Sequence, residues 1–194
     1  MTKEIVIATG NLNKLREFKE MLEPKGYEVK SIKDFPDVPE IIENGSSFEE
    51  NAEIKAKTVA EAIGLPVLAD DSGLVVPSIN GEPGIYSARY AGDHDDQANN
   101  QKLLKKLGHS DDRNAYFKTV LVGMKPNGEK IKVSGIVSGE ILLEKRGQNG
   151  FGYDPLFFVP GKQKTLAEMS DDEKNSISHR GKALRKLTTV IDNW

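Results

Sequence analysis

The 194-residue chain contains no cysteine. This excludes disulfides, thiol catalysis and zinc sites built on thiolates, and it fits a reducing compartment. Histidine is nearly as scarce. His94, His109 and His179 are the full set, and no two stand at helical spacing, so a histidine-rich metal centre is not expected. No apolar run reaches the ~18 residues of a membrane-spanning helix. The short apolar stretch Ile5 to Ala8 that follows Met1-Thr2-Lys3-Glu4 is too brief for a secretory signal, and a cytoplasmic location is the expectation. Excess positive charge is missing too: 27 basic and 30 acidic residues give a net charge of −3. Binding long nucleic acid through its phosphates is therefore not expected, although a phosphorylated small molecule needs only a local cluster. The chain also lacks the G-x-x-x-x-G-K-[ST] phosphate loop.

What is present reads as a single α/β domain spanning 1–194, with room for two lobes. Hydrophobic residues make up 37% and charged residues 29%, inside the globular range. Ile5 to Ala8 predicts a buried strand running into Thr9-Gly10-Asn11. Leu15, Phe18 and Leu22 then recur at helical spacing until Pro24 and Gly26. Glu28 to Ile32 predicts a second strand, and Phe35 to Gly45 a proline-rich loop. Ser47 and Glu50 have capping-box spacing before a helix to about Ile63, ended by Gly64 and Pro66. Val67 to Ala69 predicts a short strand ending at Asp70-Asp71-Ser72-Gly73. Asn80 to Gly92 reads as a long ordered loop, and Asp95 to Leu107 as a helix burying Leu103, Leu104 and Leu107. Tyr116 to Met124 and Lys130 to Leu143 predict a hairpin turned at Pro126-Asn127-Gly128. A glycine-rich loop from Gly147 to Gly152 precedes a strand from Leu156 to Val159. Ser170 and Glu173 repeat the capping-box spacing, and a last helix from about Arg180 places Leu184, Leu187, Val190 and Ile191 on one face.

Six stretches are candidates for chemistry. Thr9-Gly10-Asn11-Leu12-Asn13-Lys14 joins a strand to a helix N-terminus, where outward N–H groups and Lys14 suit a phosphate; the plain alternative is a turn capped by Asn11 or Asn13. Asp70 and Asp71 are neighbours at a strand end, so they point to opposite faces and take different roles, unless the segment is an ordinary turn. Glu40 or Glu43 from the preceding loop, joined to one of these aspartates, would hold a hard cation such as Mg²⁺. On the second helix Lys57 has an i,i+4 surface partner in Glu53, while Lys55 shares a face with Asn51. Phe151-Gly152-Tyr153-Asp154 interleaves aromatics with glycine, which suits stacking on a flat ligand or a packed turn. Lys174, His179, Arg180 and Lys182 gather donors at the start of the last helix, with Ser178 as its cap.

In chain order, Thr9-Gly10-Asn11-x-x-Lys14, Phe48-x-Glu50-Asn51-Ala52, Ala69-Asp70-Asp71-Ser72-Gly73-Leu74, Phe151-Gly152-Tyr153-Asp154 and Ser178-His179-Arg180 resemble the Ham1-like inosine/xanthosine triphosphate pyrophosphatases. Pro83 to Tyr90 resembles that family's central loop. The resemblance runs from residue 5 to the last helix. It implies an elongated α/β fold of a mixed sheet flanked by helices, with the nucleotide site between two lobes, a Mg²⁺ requirement and a homodimer. The implied reaction cleaves ITP, dITP and XTP to the monophosphate and pyrophosphate. In the roles so implied, residues Thr9 to Lys14 and Lys55 hold the triphosphate. Asp71 is the general base or a metal ligand, with Ser72 beside it and Glu40 or Glu43 as the second ligand. Phe151, Gly152, Tyr153, Asp154, Lys174, His179 and Arg180 hold the base and sugar. Two rival readings are a non-catalytic nucleotide sensor and a phosphatase that removes the γ-phosphate.

Overall fold

The computed structural model describes residues 3–194. Its first crossover follows from local chemistry. Strand β1 (Lys3–Ile7) is buried through Ile5, Val6 and Ile7, and the chain turns into helix α1 (Leu12–Leu22) at Asn11. The Asn11 side chain accepts the N–H groups of Asn13 and Lys14, satisfying two of the donors a helix start leaves open. Phe18 and Leu22 are buried, and a 3₁₀ turn at Glu23–Lys25 with Gly26 at φ 85° stops the helix. Strand β2 (Tyr27–Ser31) then returns parallel to β1, as a helical crossover requires. Helix α2 (Phe48–Ile63) buries Ala52, Ala56 and Ala60, spaced four apart, together with Val59. Gly64, left-handed at φ 69°, ends it, and β3 (Val67–Val75) pairs parallel with β1.

The remaining elements are helix α3 (Asp96–Leu107), strands β4 (Asn114–Met124), β5 (Lys130–Ile141), β6 (Phe157–Val159) and β7 (Lys164–Thr165), and helices α4 (Asp171–Ile177) and α5 (His179–Val190). The mixed sheet runs β2-β1-β3-β4-β5-β6-β7, with β6 antiparallel to both β5 and β7. Lys125 and Glu129 close the expected turn between β4 and β5. Two compact units divide the chain: Met1–Asp71, Val120–Ser134 and Ala183–Trp194 form one, Ser72–Thr119 and Gly135–Lys182 the other. Each has its own core. In the first, Ile5, Ile7, Phe18 and Leu22 pack with Leu68, Leu121, Leu184 and Leu187. In the second, Leu74, Leu103, Phe117, Leu156, Phe157 and Leu166 form the centre. Two α5 lysines reach β5: Lys182 Nζ donates to the Ile136 carbonyl and Lys186 Nζ to that of Ser134.

Several expectations need correction. Asp70-Asp71-Ser72-Gly73 does not end a short strand; it lies inside the nine-residue β3, because pairing within the sheet overrides local turn propensity. Ser47 does cap α2 by accepting the Glu50 N–H, but the Glu50 carboxylate accepts from the N–H and hydroxyl of Ser46, one residue upstream of the expected reciprocal donor. At α4, Ser170 accepts the Glu173 N–H while the Glu173 carboxylate turns to Lys164. Glu53 pairs with Lys130 and Lys57 with Glu61, not with each other. The stretch expected as a long loop, Asn80 to Gly92, holds a 3₁₀ turn at Gly84–Arg89, and another at Pro77–Ile79 precedes it. Val190 is 37% exposed; it ends α5 at the margin of the apolar stripe, where the chain leaves in a 3₁₀ turn.

At Gly139 of β5, a Cβ would run into the Phe158 carbonyl and the Phe157 ring. Gly139→Ala is expected to cost ~1–3 kcal/mol by overpacking, lowering the melting temperature by roughly 2–12 °C. Gly161→Ala, where a Cβ meets nothing within 4 Å, serves as the control and should melt with the wild type. Equal melting of both variants would refute the packing argument.

Candidate functional site

Two clusters of polar side chains stand out, one in each unit. In the first, the Lys14 ammonium on α1 lies 2.7 Å from Asp70, whose side chain is 1% exposed. A carboxylate that deep is tolerated only with a charged partner. One residue along β3 the side chain alternates, and Asp71 meets α2 instead. Its Oδ2 accepts from Asn51 Nδ2 at 3.2 Å, and its Oδ1 is 3.8 Å from Lys55 Nζ. The same ammonium donates to Glu43 Oε2 at 3.1 Å. Burial pushes the Asp71 carboxyl up to about 6; the Lys55 charge and the Asn51 hydrogen bond oppose the rise, while the charges of Glu43 and Asp70 add to it. Asn51 also accepts the Gly45 N–H, pinning the loop that carries Glu43 to the start of α2.

The Thr9 to Lys14 turn is partly self-satisfied. Thr9 Oγ1 accepts the Asn11 N–H, and Asn11 takes those of Asn13 and Lys14, so the capping role of Asn11 is real. Gly10 and Leu12 are exposed. Of the two loop glutamates, Glu43 joins Asp71 through Lys55 while Glu40 is exposed. No three His, Cys, Asp or Glu side chains gather as a metal set among the described residues. A hard cation such as Mg²⁺ takes one or two carboxylates from a protein when phosphates and water complete its shell, and Glu43 and Asp71 are two such groups about one ammonium.

The second cluster surrounds the glycine-rich loop. Gly147, Gly150 and Gly152 are left-handed, at φ 83°, 74° and 63°, and a Cβ at Gly150 would collide with the Asp154 carboxylate. Asp154 is buried; its Oδ2 accepts the Phe151 N–H at 3.1 Å and the Lys174 ammonium. It therefore shapes the loop and holds Lys174 beside it. Of the two readings of the loop's aromatics, Tyr153 takes the packed turn. Its ring lies in the core and its hydroxyl donates to the Ser87 carbonyl, so it is no stacking platform. Phe151 is 38% exposed, with Lys174 Nζ 4.8 Å from its ring centre. Ser178 caps α5 by accepting the Gly181 N–H. The next two residues are buried: His179 stacks on Phe117 at 4.9 Å and 13°, and Arg180 Nη2 donates to Ser72 Oγ at 3.3 Å. Lys182 goes elsewhere, to β5.

Sequence reasoning missed three contributors. Phe117 sits in a strand like any core aromatic, and nothing in its spacing marks the stack on His179. Asn99 and Asn100, by contrast, left a signal: adjacent asparagines are poor helix formers, and these two are buried within α3. Asn99 accepts the N–H groups of Ala91 and Gly92 and donates to the Ala88 carbonyl, fastening the Pro83 to Tyr90 loop at its end.

The sequence matches the model of the Ham1 family over residues 5–190. A Lactiplantibacillus plantarum protein named dITP/XTP pyrophosphatase is 57% identical, covering 100% of this chain and 98% of its own length. The solved Ham1 protein of Staphylococcus aureus superposes with a TM-score of 0.92 at 47% identity, over 98% of this chain and 99% of its own. That of Coxiella burnetii gives 0.93 at 46%, over 99% and 100%.

Two stability measurements test the first cluster. Lys14→Ala removes the close partner of a buried carboxylate, so it should destabilise by ~3–5 kcal/mol, and adding Asp70→Asn should recover much of the loss. Unchanged melting of Lys14→Ala would contradict the pairing. Asp71 binds its proton more tightly folded, at about 6, than at its ordinary value of 3.8. Its contribution is thus fully present below pH 3.8 and is lost as pH rises through 6. Asp71→Asn should therefore melt above the wild type at pH 8 in the presence of a chelator, by at most about 3 kcal/mol at ~1.4 kcal/mol per unit. The two should converge at pH ~4. A stabilisation larger in acid than in base would show that burial does not set this carboxyl.

Proposed function

The chain belongs to the Ham1 family, and from that premise we propose that it hydrolyses ITP, dITP and XTP to the monophosphate and pyrophosphate. The observation that carries the reading is Asp71: a partly buried carboxyl raised to about 6, held between Asn51 and Lys55. A base poised near neutrality is suited to take a proton during attack on phosphorus. In this reading an Asp71 carboxylate oxygen accepts a proton from the water that attacks the α-phosphorus, and pyrophosphate departs. Lys55 and Lys14 bring positive charge to the triphosphate as the bond breaks. Glu43 and Asp71 would hold Mg²⁺, in preference to the exposed Glu40. The bound ion would neutralise charge on the phosphate oxygens.

Base choice falls to the second cluster. The exposed Phe151 face offers stacking, which every base satisfies equally. Discrimination must come from edge hydrogen bonds: the buried His179 and Arg180 are donors for a 6-oxo purine, where adenine presents a donor, and guanine, which shares the 6-oxo group, is excluded by the lack of a partner or of room for its 2-amino group. Phe117 and Ser72 hold those two side chains in place. A buried donor facing the wrong edge loses its hydrogen bond and is penalised heavily. We read the enzyme as a cytoplasmic homodimer. The missing cysteines support that compartment, no described helix is long and apolar enough to cross a membrane, and the family resemblance supports the dimer.

With Mg²⁺ present, ITP and XTP should be cleaved at least ~100-fold more efficiently than ATP or GTP, a difference of about 2.7 kcal/mol that one or two unmet polar groups supply. Pyrophosphate, not orthophosphate, should appear. Asp71→Asn should lose ~10²–10⁴-fold or more in turnover. Orthophosphate as product, or equal cleavage of ITP and GTP, would defeat the proposal.

A further inference from the structure

The Phe151 loop is not held by its own turn alone; helix α3 holds both polar groups of the residue next to Phe151. The Gly152 N–H donates to Asp96 Oδ2 at 2.7 Å, and the Gly152 carbonyl accepts from Asn100 Nδ2 at 2.8 Å. Asn100 is buried, and the same amide group donates to the Asp96 carbonyl. Gly152 has φ 63°, a conformation with many neighbours of similar energy for glycine. Without outside partners, the peptide linking Phe151 to Gly152 would be free to rotate. Asp96 and Asn100, four apart on one helix, fix that peptide and the next from the far side. Beyond Gly152, Tyr153 is anchored through its hydroxyl to Ser87. On the near side, the Phe151 N–H is anchored to Asp154. Phe151 is therefore the exposed ring in a segment tied at three successive residues, through the backbone at Phe151 and Gly152 and through the side chain at Tyr153.

We infer that Asp96 and Asn100 are positioning residues for base binding, acting through Gly152 to hold the Phe151 ring where a purine stacks. The inference rests on the proposed stacking role of Phe151. It adds α3, an element that carries none of the charged groups assigned to the substrate. Asn100 is set in the core, so its variants confound positioning with folding. Asp96 is exposed, and Asp95 caps α3 by accepting the Ala98 N–H, so Asp96 is open to substitution without loss of the cap. Asparagine at 96 keeps an oxygen that accepts the Gly152 N–H; alanine does not.

The test is a double-mutant cycle on KM for ITP with Mg²⁺, read by pyrophosphate release, using Asp96→Ala, Asp96→Asn, Phe151→Ala and the Asp96→Ala/Phe151→Ala double variant. Asp96→Ala should raise KM about five- to tenfold with kcat within about twofold, the size expected of one lost backbone tether. Asp96→Asn should stay within about twofold of the wild type. Phe151→Ala should raise KM at least as far, and the double variant should match Phe151→Ala alone, because a ring that is gone needs no positioning. A second readout is independent of turnover: the Gly152 amide should exchange with solvent faster in Asp96→Ala and at the wild-type rate in Asp96→Asn. If Phe151→Ala leaves KM unchanged, the stacking reading itself fails. If Phe151→Ala raises KM but Asp96→Ala does not, or if the two effects add in full, stacking stands and the positioning role is overturned.

Discussion

The charge at Asp70 is the constraint from which the first cluster follows. A carboxylate whose side chain is 1% exposed on a central strand has no water to stabilise it, so the fold must supply a cation. Lys14 does so from the first turn of α1, tying the strand-to-helix turn to β3. Strand alternation then sends the next carboxylate to α2 and to a second cation. Two adjacent acidic residues are thereby given opposite characters: one is paired closely and locked, the other is only loosely compensated. The pair of lysines is as much a requirement of the fold as of any ligand.

The second cluster is built on a different logic, backbone geometry in place of charge. Left-handed glycines let the chain fold tightly around the Asp154 carboxylate, and the polar groups of Gly152, the Phe151 N–H and the Asp154 carboxylate find partners in α3, α4 or the loop itself. Rigidity is useful for recognition, because a preformed site spends less free energy on ordering when a ligand arrives. The stacked His179 and the hydroxyl-bonded Arg180 are fixed in the same way.

How much of this was legible in the sequence depends on how local the cause is. Asn11, Ser47, Gly64 and Ser178 announce their helix ends because capping is decided within four residues. The carboxylate at 71 was readable as well, since strand alternation requires neighbours to differ. The strand character of Asp70 to Gly73 was not, because its sheet neighbours impose it on turn-forming residues. Nor was the burial of Tyr153, since a loop has no period from which to read a face. The hold of Asn100 on Gly152 joins positions 52 residues apart, and no local rule reaches that far. Its trace in the sequence is the cost of two asparagines in mid-helix.

The α5 lysines that donate to Ser134 and Ile136 have a consequence for the life of the protein before and after folding. Carbonyls two residues apart on a strand point to the same side, and along this stretch β6 does not accompany β5, since it pairs at Glu140 and Ile141. Such a margin is a template onto which a foreign strand can hydrogen-bond. Lys182 and Lys186 fill two of its acceptors and set positive charges along it, so an incoming strand must displace them and desolvate their charges. Edge-to-edge growth of a fibril would have to begin by breaking these two bonds, which belong to residues assigned no part in the chemistry.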